Sequence, residues 1–123
     1  MREIKFKVWD PEPGKERMSK PYQIRELDET YFMTDDSVIF LQYTGMKDAH
    51  GNEIYEGDVI SYKTEDNVFL TGEVRMRDGA FCVMGMIIAK MEFKLVYLHD
   101  IKVPVRIIGN GYEGMSSFRG GEL

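Results

Sequence analysis

Residues 69–87 read FLTGEVRMRDGAFCVMGMI, with Asp78-Gly79 between two runs in which apolar residues alternate with others. A two-residue type I′ turn needs positive φ at both central positions, and Asp-Gly is among the dipeptides that adopt it most readily. The turn predicts a hairpin that pairs Arg77 with Ala80, Met76 with Phe81, Val74 with Val83 and Leu70 with Ile87. This register gathers the large apolar side chains on one face of the hairpin.

The same register places Gly72 opposite Gly85. Two facing glycines leave no side chains between the strands, so we expect a sharp bend there, as at the corner of a small barrel. Cys82 falls opposite Arg75, on what we predict to be the more polar face of the hairpin. Because no base accompanies it in the local sequence, the pattern favours packing over nucleophilic catalysis for this cysteine.

Alternating and β-branched residues predict further strands on both sides of the hairpin. The expected strands and extended segments cover residues 3–9, 18–27, 37–43, 94–98 and 102–108. Pro104 lacks a backbone donor, which favours an edge strand or a bulge at its position.

The segments between these strands have the composition of turns and loops. We expect turns at residues 10–17, at Thr44-Gly45 and at residues 47–52. The acidic residues 28–36 fit either a short helix or an irregular loop. The small and polar residues 116–123 predict a loosely held, flexible tail.

Length and charge restrict the possible classes of protein. A chain of 123 residues fits one domain, residues 1–123, which can fold without a metal or disulfides. The formal net charge of −5 opposes nonspecific nucleic-acid binding, which depends on cations that neutralise phosphates. The lone Cys82 cannot form an internal disulfide. Since no apolar run approaches the roughly 20 residues of a membrane span and no secretory signal is recognisable, we expect a cytoplasmic protein with no membrane partner.

Residues 41–48 read LQYTGMKD, and residues 51–60 read GNEIYEGDVI. Both runs resemble the central signature of the YopX family of phage and prophage proteins. Residues 2–10 and 107–113 are similar to the two end motifs of that family, in the same order. Gly111 departs from the pattern, because an apolar β-branched residue is usual there, and it predicts a looser strand end.

The resemblance implies a mainly β, YopX-like fold and supplies no known reaction. The implied fold has an extended N-terminal β portion, approximately residues 1–45, followed by a small SH3-like β-barrel, approximately residues 46–115. It also implies that the chain is encoded by a phage or an integrated prophage.

The central signature has two interpretations. In the first, its glycines form tight turns and its apolar residues fill a core. In the second, its polar and aromatic members line a recognition surface, since loops often carry function. The candidate binding residues are Gln42, Tyr43, Thr44, Lys47, Asp48, Tyr55, Glu56 and Asp58.

Other motifs give little support for catalysis, a cofactor or a metal. Residues 109–114 match the spacing G-x-G-x-x-G, but the nine residues that follow are too few for a helix and a returning strand. His50 and His99 are far apart, and residues 48–52 lack the ligand spacing of a calcium loop. No serine lies in a nucleophile elbow. We therefore assign no catalytic residue, no cofactor and no metal site.

The methionines in the second half of the chain fit two roles. Flexible thioethers either fill irregular gaps in a core or form an adaptable contact surface, and we expect core filling to dominate. The methionines concerned are Met76, Met84, Met86 and Met91.

Three hypotheses of function follow. The first is a noncatalytic module that binds a protein partner or itself, for which exposed strand edges would be suitable. The second is a nucleic-acid-binding small barrel, which net acidity disfavours; its stacking residues would be Phe69 and Phe81, with Arg75, Arg77 and Lys90 nearby. The third is a phage enzyme that uses polar residues between Gln42 and Asp58.

Overall fold

A computed structural model describes residues 3–23 and 37–113 of the chain. The described residues form ten β-strands, arranged as two antiparallel sheets of five strands each. The strands are β1 (Lys5–Asp10), β2 (Arg17–Met18), β3 (Tyr22–Gln23), β4 (Ile39–Lys47), β5 (Glu53–Tyr55), β6 (Asp58–Lys63), β7 (Phe69–Arg77), β8 (Ala80–Ile87), β9 (Glu92–Tyr97) and β10 (Arg106–Asn110). Two short 3₁₀ helices, Ile88–Lys90 and Leu98–Asp100, flank β9. No helix in this part of the chain is long and apolar enough to cross a membrane.

The first sheet is built around β1, which pairs with β4 along one edge and with the short strands β2 and β3 along the other. Its strand order is β2-β1-β4-β5. The backbone N–H of Val8 donates to Ser19 Oγ at 2.8 Å, and the Ser19 N–H donates to the Val8 carbonyl at 2.9 Å. This reciprocal pair satisfies the β1 backbone between β2 and β3.

The second sheet has the order β10-β6-β7-β8-β9 and contains the hairpin that the Asp-Gly turn predicts. Asp78 and Gly79 have φ values of 52° and 83°, as a type I′ turn requires. All four predicted cross-strand pairs are confirmed, and so is the pairing of Gly72 with Gly85. The local turn therefore sets the register of the two longest strands in this sheet.

The sheet curls into a half-barrel. A Cβ atom on Gly72 would lie 2.4 Å from Gly85 Cα, so the two strands approach each other more closely than any side chain allows. Within the described residues the sheet stays open, with β9 and β10 as its two edges. The mainly β class is thus confirmed, whereas the SH3-like assignment stays a prediction.

The main core lies on the concave side of the curled sheet. It consists of apolar side chains from β5 to β8, from the second 3₁₀ helix and from the segment that precedes β10. Its buried members are Ile54, Ile60, Tyr62, Leu70, Val74, Phe81, Val83, Ile87, Leu98, Ile101 and Val105. Ile54 belongs to β5 of the first sheet, so the two sheets share this core.

The turn predicted at Thr44-Gly45 is wrong, because β4 continues through it to Lys47. Gly45 has φ 86°, and the register with β5 shifts between Tyr43 and Lys47. The glycine thus introduces an irregularity inside one strand instead of ending it. The approximate boundary between the N-terminal portion and the barrel, between residues 45 and 46, stays a prediction. The strand β4 runs through this position.

Two other boundaries differ from the sequence-based expectation. The strand predicted at residues 102–108 begins only at Arg106, so Pro104 precedes β10, which is an edge strand with a bulge between Ile107 and Gly109. Within the described part of the extended segment predicted at residues 18–27, the strand residues are those of β3 and the last residue of β2. Residues 24–36 and 114–123, which include the acidic segment and the predicted tail, lie outside the described residues.

Cys82 lies opposite Arg75, as predicted, and outside the main core cluster, although its side chain is not exposed. The Cys82 side chain is fully buried, with 0% exposure. It sits in the middle of the sheet, between Arg75 on β7 and Tyr97 on β9. This burial agrees with the packing role inferred from the sequence and leaves the thiol without access to solvent.

Candidate functional site

Asp48, from the central signature, holds the turn that joins β4 to β5. Its Oδ1 atom accepts hydrogen bonds from the backbone N–H groups of His50 at 2.9 Å and Asn52 at 2.8 Å. Its Oδ2 atom accepts a bond from the Asn52 side chain at 3.2 Å. Burial alone would raise the pKa of Asp48, but these hydrogen bonds outweigh it and hold the pKa below its usual value. Both carboxylate oxygens of Asp48 therefore accept hydrogen bonds that hold this turn.

The aromatic members of the signature pack within the first sheet. The rings of Tyr43 and Tyr55 lie opposite each other on β4 and β5, with centroids 5.4 Å apart. Lys5 Nζ lies 5.0 Å from the Tyr43 centroid, and Lys7 Nζ lies 4.6 Å from the Tyr55 centroid. The Tyr55 hydroxyl donates to Glu53 Oε1 at 3.0 Å, and Glu53 also pairs with Lys5. Both rings are buried, so they are not stacking platforms for a ligand.

Tyr55, Asp58 and Asn110 form what we call the buried polar cluster. Asp58 is 6% exposed, and its Oδ2 atom accepts the Tyr55 backbone N–H at 2.8 Å. Its Oδ1 atom accepts a bond from Asn110 Nδ2 at 3.1 Å, across 52 residues of sequence. Burial raises the pKa of Asp58, although the two hydrogen bonds oppose this effect. The cluster ties β5, β6 and β10 together.

The turn after Asn110 completes this arrangement. Asn110 Oδ1 accepts the backbone N–H groups of Tyr112 at 2.8 Å and Glu113 at 3.3 Å. The Tyr112 ring covers Gly57, where φ is 88° and a Cβ atom would lie 2.7 Å from the ring. The Gly111 N–H donates to the Gly57 carbonyl at 2.7 Å. The glycine-rich end motif is thus a clamp on the Gly57 turn and not a phosphate loop.

Gly111 accommodates a charged side chain from β7. A Cβ atom on Gly111 would meet the Glu73 carboxylate, which pairs with Arg75, so a larger residue at this position would require the Glu73 side chain to move. The strand ends at Asn110, one residue before Gly111, although the hydrogen bond to Gly57 still fixes the Gly111 backbone. Because Gly111 replaces the usual β-branched residue, the Glu73 carboxylate fills the space beside the Gly111 backbone.

Most of the eight signature residues are buried or half-buried in the structure. Five of them are buried, namely Tyr43, Thr44, Asp48, Tyr55 and Asp58. Gln42 and Glu56 are half-buried, and the Gln42 N–H donates to Glu56 Oε1 at 3.0 Å. Lys47 is exposed. These positions favour the structural interpretation, while a recognition role for the signature stays a prediction.

A cleft of about 540 Å³ opens between the two sheets beside the buried polar cluster. Its charged lining residues are Lys7, Glu53, Asp58, Arg106 and Glu113. A raised pKa in a cleft is typical of catalytic acids, but both Asp58 oxygens accept structural hydrogen bonds. Among the described residues no serine, threonine, cysteine or histidine lines the cleft, and no three His, Cys, Asp or Glu side chains form a metal-binding group.

A different surface lies on the convex side of the second sheet. Directly opposite residues on neighbouring strands share a face. Two such rows across β7, β8 and β9, Thr71–Met86–Phe93 and Glu73–Met84–Leu95, lie on the side away from the core. Phe69, two residues before Thr71, lies on that side as well. We call the five apolar residues on this side the apolar face, namely Phe69, Met84, Met86, Phe93 and Leu95.

The apolar face is exposed to solvent. Phe93 is 81% exposed, Phe69 is 59% exposed and Met84 is 46% exposed. Ile88 and Met91, in the turn that joins β8 to β9, adjoin the face and are 67% and 75% exposed. The prediction that the methionines mainly fill the core is therefore wrong for Met76, Met84 and Met91. No periodic signal in the sequence distinguishes this exposed face from a buried one, because Met and Phe also suit a core.

The stacking platform of the nucleic-acid hypothesis does not form as predicted. Phe69 lies on the apolar face, whereas Phe81 is buried on the opposite side of the sheet. Two of the three predicted cations are paired with carboxylates, Arg75 with Glu73 and Lys90 with Asp66, while Lys63 Nζ lies 5.7 Å from the Phe69 ring centroid. Within the described residues, the two predicted aromatic rings therefore do not share one side of the sheet.

Two antiparallel sheets, one of them curled, and a buried polar cluster between them define a mainly β protein with a central turn signature. The family model described as YopX protein matches residues 14–115, and the chain belongs to the YopX family. The central signature and the second end motif lie inside the matched range, whereas residues 2–10 precede it. No curated protein matches the chain.

Proposed function

We propose that this protein is a noncatalytic, self-associating interaction module that binds further copies of itself through the surface around β9. One observation carries the proposal: an exposed apolar face lies beside an open sheet edge. Large apolar side chains in such a position are typical of surfaces that bind another chain.

The size of the exposed area supports this interpretation. Taking roughly 200 Å² for a large apolar side chain, the exposed fractions on the apolar face and the adjoining turn amount to roughly 700 Å². The largest apolar patch of a typical monomer covers about 300–600 Å². The apolar area of this chain is therefore larger than a monomer usually leaves in water.

The charges around the face support a second copy as the partner. The chain carries a formal charge of −5, which on average makes copies repel each other. Next to the face, however, acids and bases occur as ion pairs, Glu73 with Arg75 and Asp66 with Lys90. Two surfaces with such ion pairs can meet without a strong net repulsion.

The inter-sheet cleft gives less support to an enzyme. Its buried carboxylate already accepts two hydrogen bonds, and its lysine lies over the Tyr55 ring. A nucleophile or a general acid needs a lone pair or a proton directed at a substrate, whereas both Asp58 oxygens accept hydrogen bonds from groups within the fold. A noncatalytic role therefore fits this geometry better than the proposed phage enzyme.

Light scattering over a range of protein concentrations tests the proposal, with Met84→Ser as the variant and Met76→Ser as its control. Both methionines belong to the same hairpin and are similarly exposed, at 46% and 41%, but they lie on opposite sides of the sheet. We expect Met84→Ser to weaken association at least tenfold and Met76→Ser to leave it unchanged. A wild-type chain that stays monomeric at every concentration, or equal effects of the two variants, would contradict the proposal.

A further inference from the structure

We infer that two copies of this chain pair through their β9 strands, antiparallel, across a two-fold axis that passes beside Leu95. The inference rests on the proposed function and specifies its geometry. It concerns the two edge strands of the second sheet, β9 and β10. They differ in whether their free edge can pair with a strand from another chain.

The first edge strand, β10, carries features that block pairing. It has five residues, Pro104 precedes it, and a bulge interrupts its register between Ile107 and Gly109. Natural sheets commonly use short strands, prolines and bulges to prevent edge-to-edge association. The β10 edge is thus protected against an added strand.

The second edge strand, β9, has almost none of these features. All six of its residues pair with β8 in one continuous register, without a bulge, a glycine or a proline. Its outward side chains include Phe93 and Leu95, and Lys94 is its only cation. Within the described residues no strand pairs with its free edge. An added strand would satisfy the backbone donors and acceptors along that edge.

A second β9 meets the symmetry requirement of a closed dimer. A two-fold axis perpendicular to the sheet makes the two strands antiparallel and places each residue and its copy at equal distances from the axis. Directly opposite residues share a face, so the apolar faces of both copies lie on the same side. The dimer then forms one continuous ten-stranded sheet, in which Phe93 and Leu95 of each copy lie beside the partner's β9 and Met84, on the neighbouring strand, flanks Leu95.

Charge selects the register. Only two symmetric registers pair five residues of β9 with five of its copy, one centred on Lys94 and one centred on Leu95. The first places two lysines directly opposite each other, which is destabilising. The second pairs Leu95 with its copy, Phe93 with Tyr97 and Lys94 with Val96. Registers centred on Phe93 or Val96 pair only three residues, because Met91, just before β9, has φ 54° and is not extended.

Disulfide formation between single-cysteine positions tests this geometry. In an antiparallel pair the Cα atoms of directly opposite residues lie about 4.5–5.5 Å apart, within reach of a disulfide. Residues displaced by two positions lie more than about 7 Å apart, beyond that reach. Sheets packed face to face keep their backbones about 10 Å apart and also cannot be bridged.

The variants are Leu95→Cys, with Lys94→Cys and Phe93→Cys as controls for the other registers. The native Cys82 is fully buried, so the wild-type chain serves as the blank. After mild oxidation we expect Leu95→Cys to migrate as a covalent dimer on a denaturing gel and the two control variants to remain monomers. A mixture of Phe93→Cys and Tyr97→Cys chains should form a covalent heterodimer.

The outcomes separate the geometry from the proposed function. A dimer in light scattering that depends on Met84, together with no cross-link of Leu95→Cys, overturns the β9 pairing and leaves the function in place. Equal cross-linking of Lys94→Cys, or self-linking of Phe93→Cys, overturns the register. A chain that is monomeric in light scattering, with no cross-link at any position, overturns both.

Discussion

Asp58 and Phe93 show two opposite arrangements within one small protein. Asp58 carries a carboxylate but is 6% exposed, because Tyr55 and Asn110 satisfy its oxygens inside the protein. Phe93 carries an apolar ring but is 81% exposed on the convex side of the second sheet. Buried polar groups cost free energy unless they are bonded, and exposed apolar groups cost free energy unless another chain covers them. The first region therefore serves folding, and the second is available for binding.

Removal of the Asp58 carboxylate should have the largest effect on stability. In Asp58→Ala the Tyr55 N–H and the Asn110 amide lose their acceptor in a buried site, which should cost about 3 kcal/mol or more of unfolding free energy. Urea unfolding followed by circular dichroism measures this loss.

A double exchange provides the control for that prediction. Asp58→Asn turns a donor toward the Asn110 amide, and Asn110→Asp places two carboxylates together, so each single variant should be destabilised. The pair Asp58→Asn with Asn110→Asp restores one donor and one acceptor and should recover at least about 1 kcal/mol. Strictly additive losses would show that the hydrogen bond between the two side chains does not stabilise the fold.

Substitution of Gly57 should have the next largest effect. Gly57→Ala combines an unfavourable positive φ with a clash against the Tyr112 ring and should cost about 2–4 kcal/mol. Gly51→Ala is the matched control, since Gly51 has φ 84° with no atom within 4 Å of a Cβ, and it should cost only about 1 kcal/mol. Similar melting temperatures for the two variants would contradict the packing of Tyr112 on Gly57.

Asp48 should give a smaller effect that depends on pH. Hydrogen bonds lower the pKa of Asp48 in the folded protein, so its contribution is present above about pH 4 and is lost as pH falls through the folded pKa. Asp48→Asn should therefore lower the unfolding free energy by about 1–2 kcal/mol at pH 7, and the difference should shrink below about pH 4.

Urea unfolding at a series of pH values measures this difference. Glu65→Gln, in an exposed loop, serves as the control and should follow the wild-type curve. A stability difference for Asp48→Asn that stays constant between neutral and acid pH would contradict the hydrogen-bonding role of the carboxylate.

The smallest effect on stability should come from the apolar face. Phe93→Ala should change the unfolding free energy of the monomer by less than about 0.5 kcal/mol, because the ring is mostly in water. Phe81→Ala, on the buried side of the same sheet, should cost about 3–5 kcal/mol. Both values come from urea unfolding at a concentration where the chain is monomeric. A large loss for Phe93→Ala would assign the ring to the fold instead of to binding.

The sequence predicts the hairpin register correctly because the determining interactions are local. Asp78 and Gly79 are neighbours that need positive φ, and the alternation on either side allows only one pairing that collects the apolar residues. The same local logic fails at Gly45, where a positive φ creates an irregularity inside β4 and not a turn. A glycine shows that an unusual backbone conformation is allowed and does not show whether the strand ends there.

The site is less predictable because it depends on contacts between distant residues. The hydrogen bond from Asn110 to Asp58 spans 52 residues, and no local pattern distinguishes a bonded carboxylate from an exposed one. The exposure of Met84 has a similar origin, since alternation separates two faces but does not tell which face another element will cover. The family signature could therefore be recognised while the role of its residues stayed open.

The position of Asn110 in the chain has a consequence for biosynthesis. A nascent polypeptide emerges from its N-terminus, so β6 is synthesised long before β10, its neighbour in the sheet. Until Asn110 leaves the ribosome, Asp58 lacks its side-chain donor and β6 has a free edge. Native assembly of the second sheet is therefore completed only once β10 has emerged, after β9 and its apolar side chains.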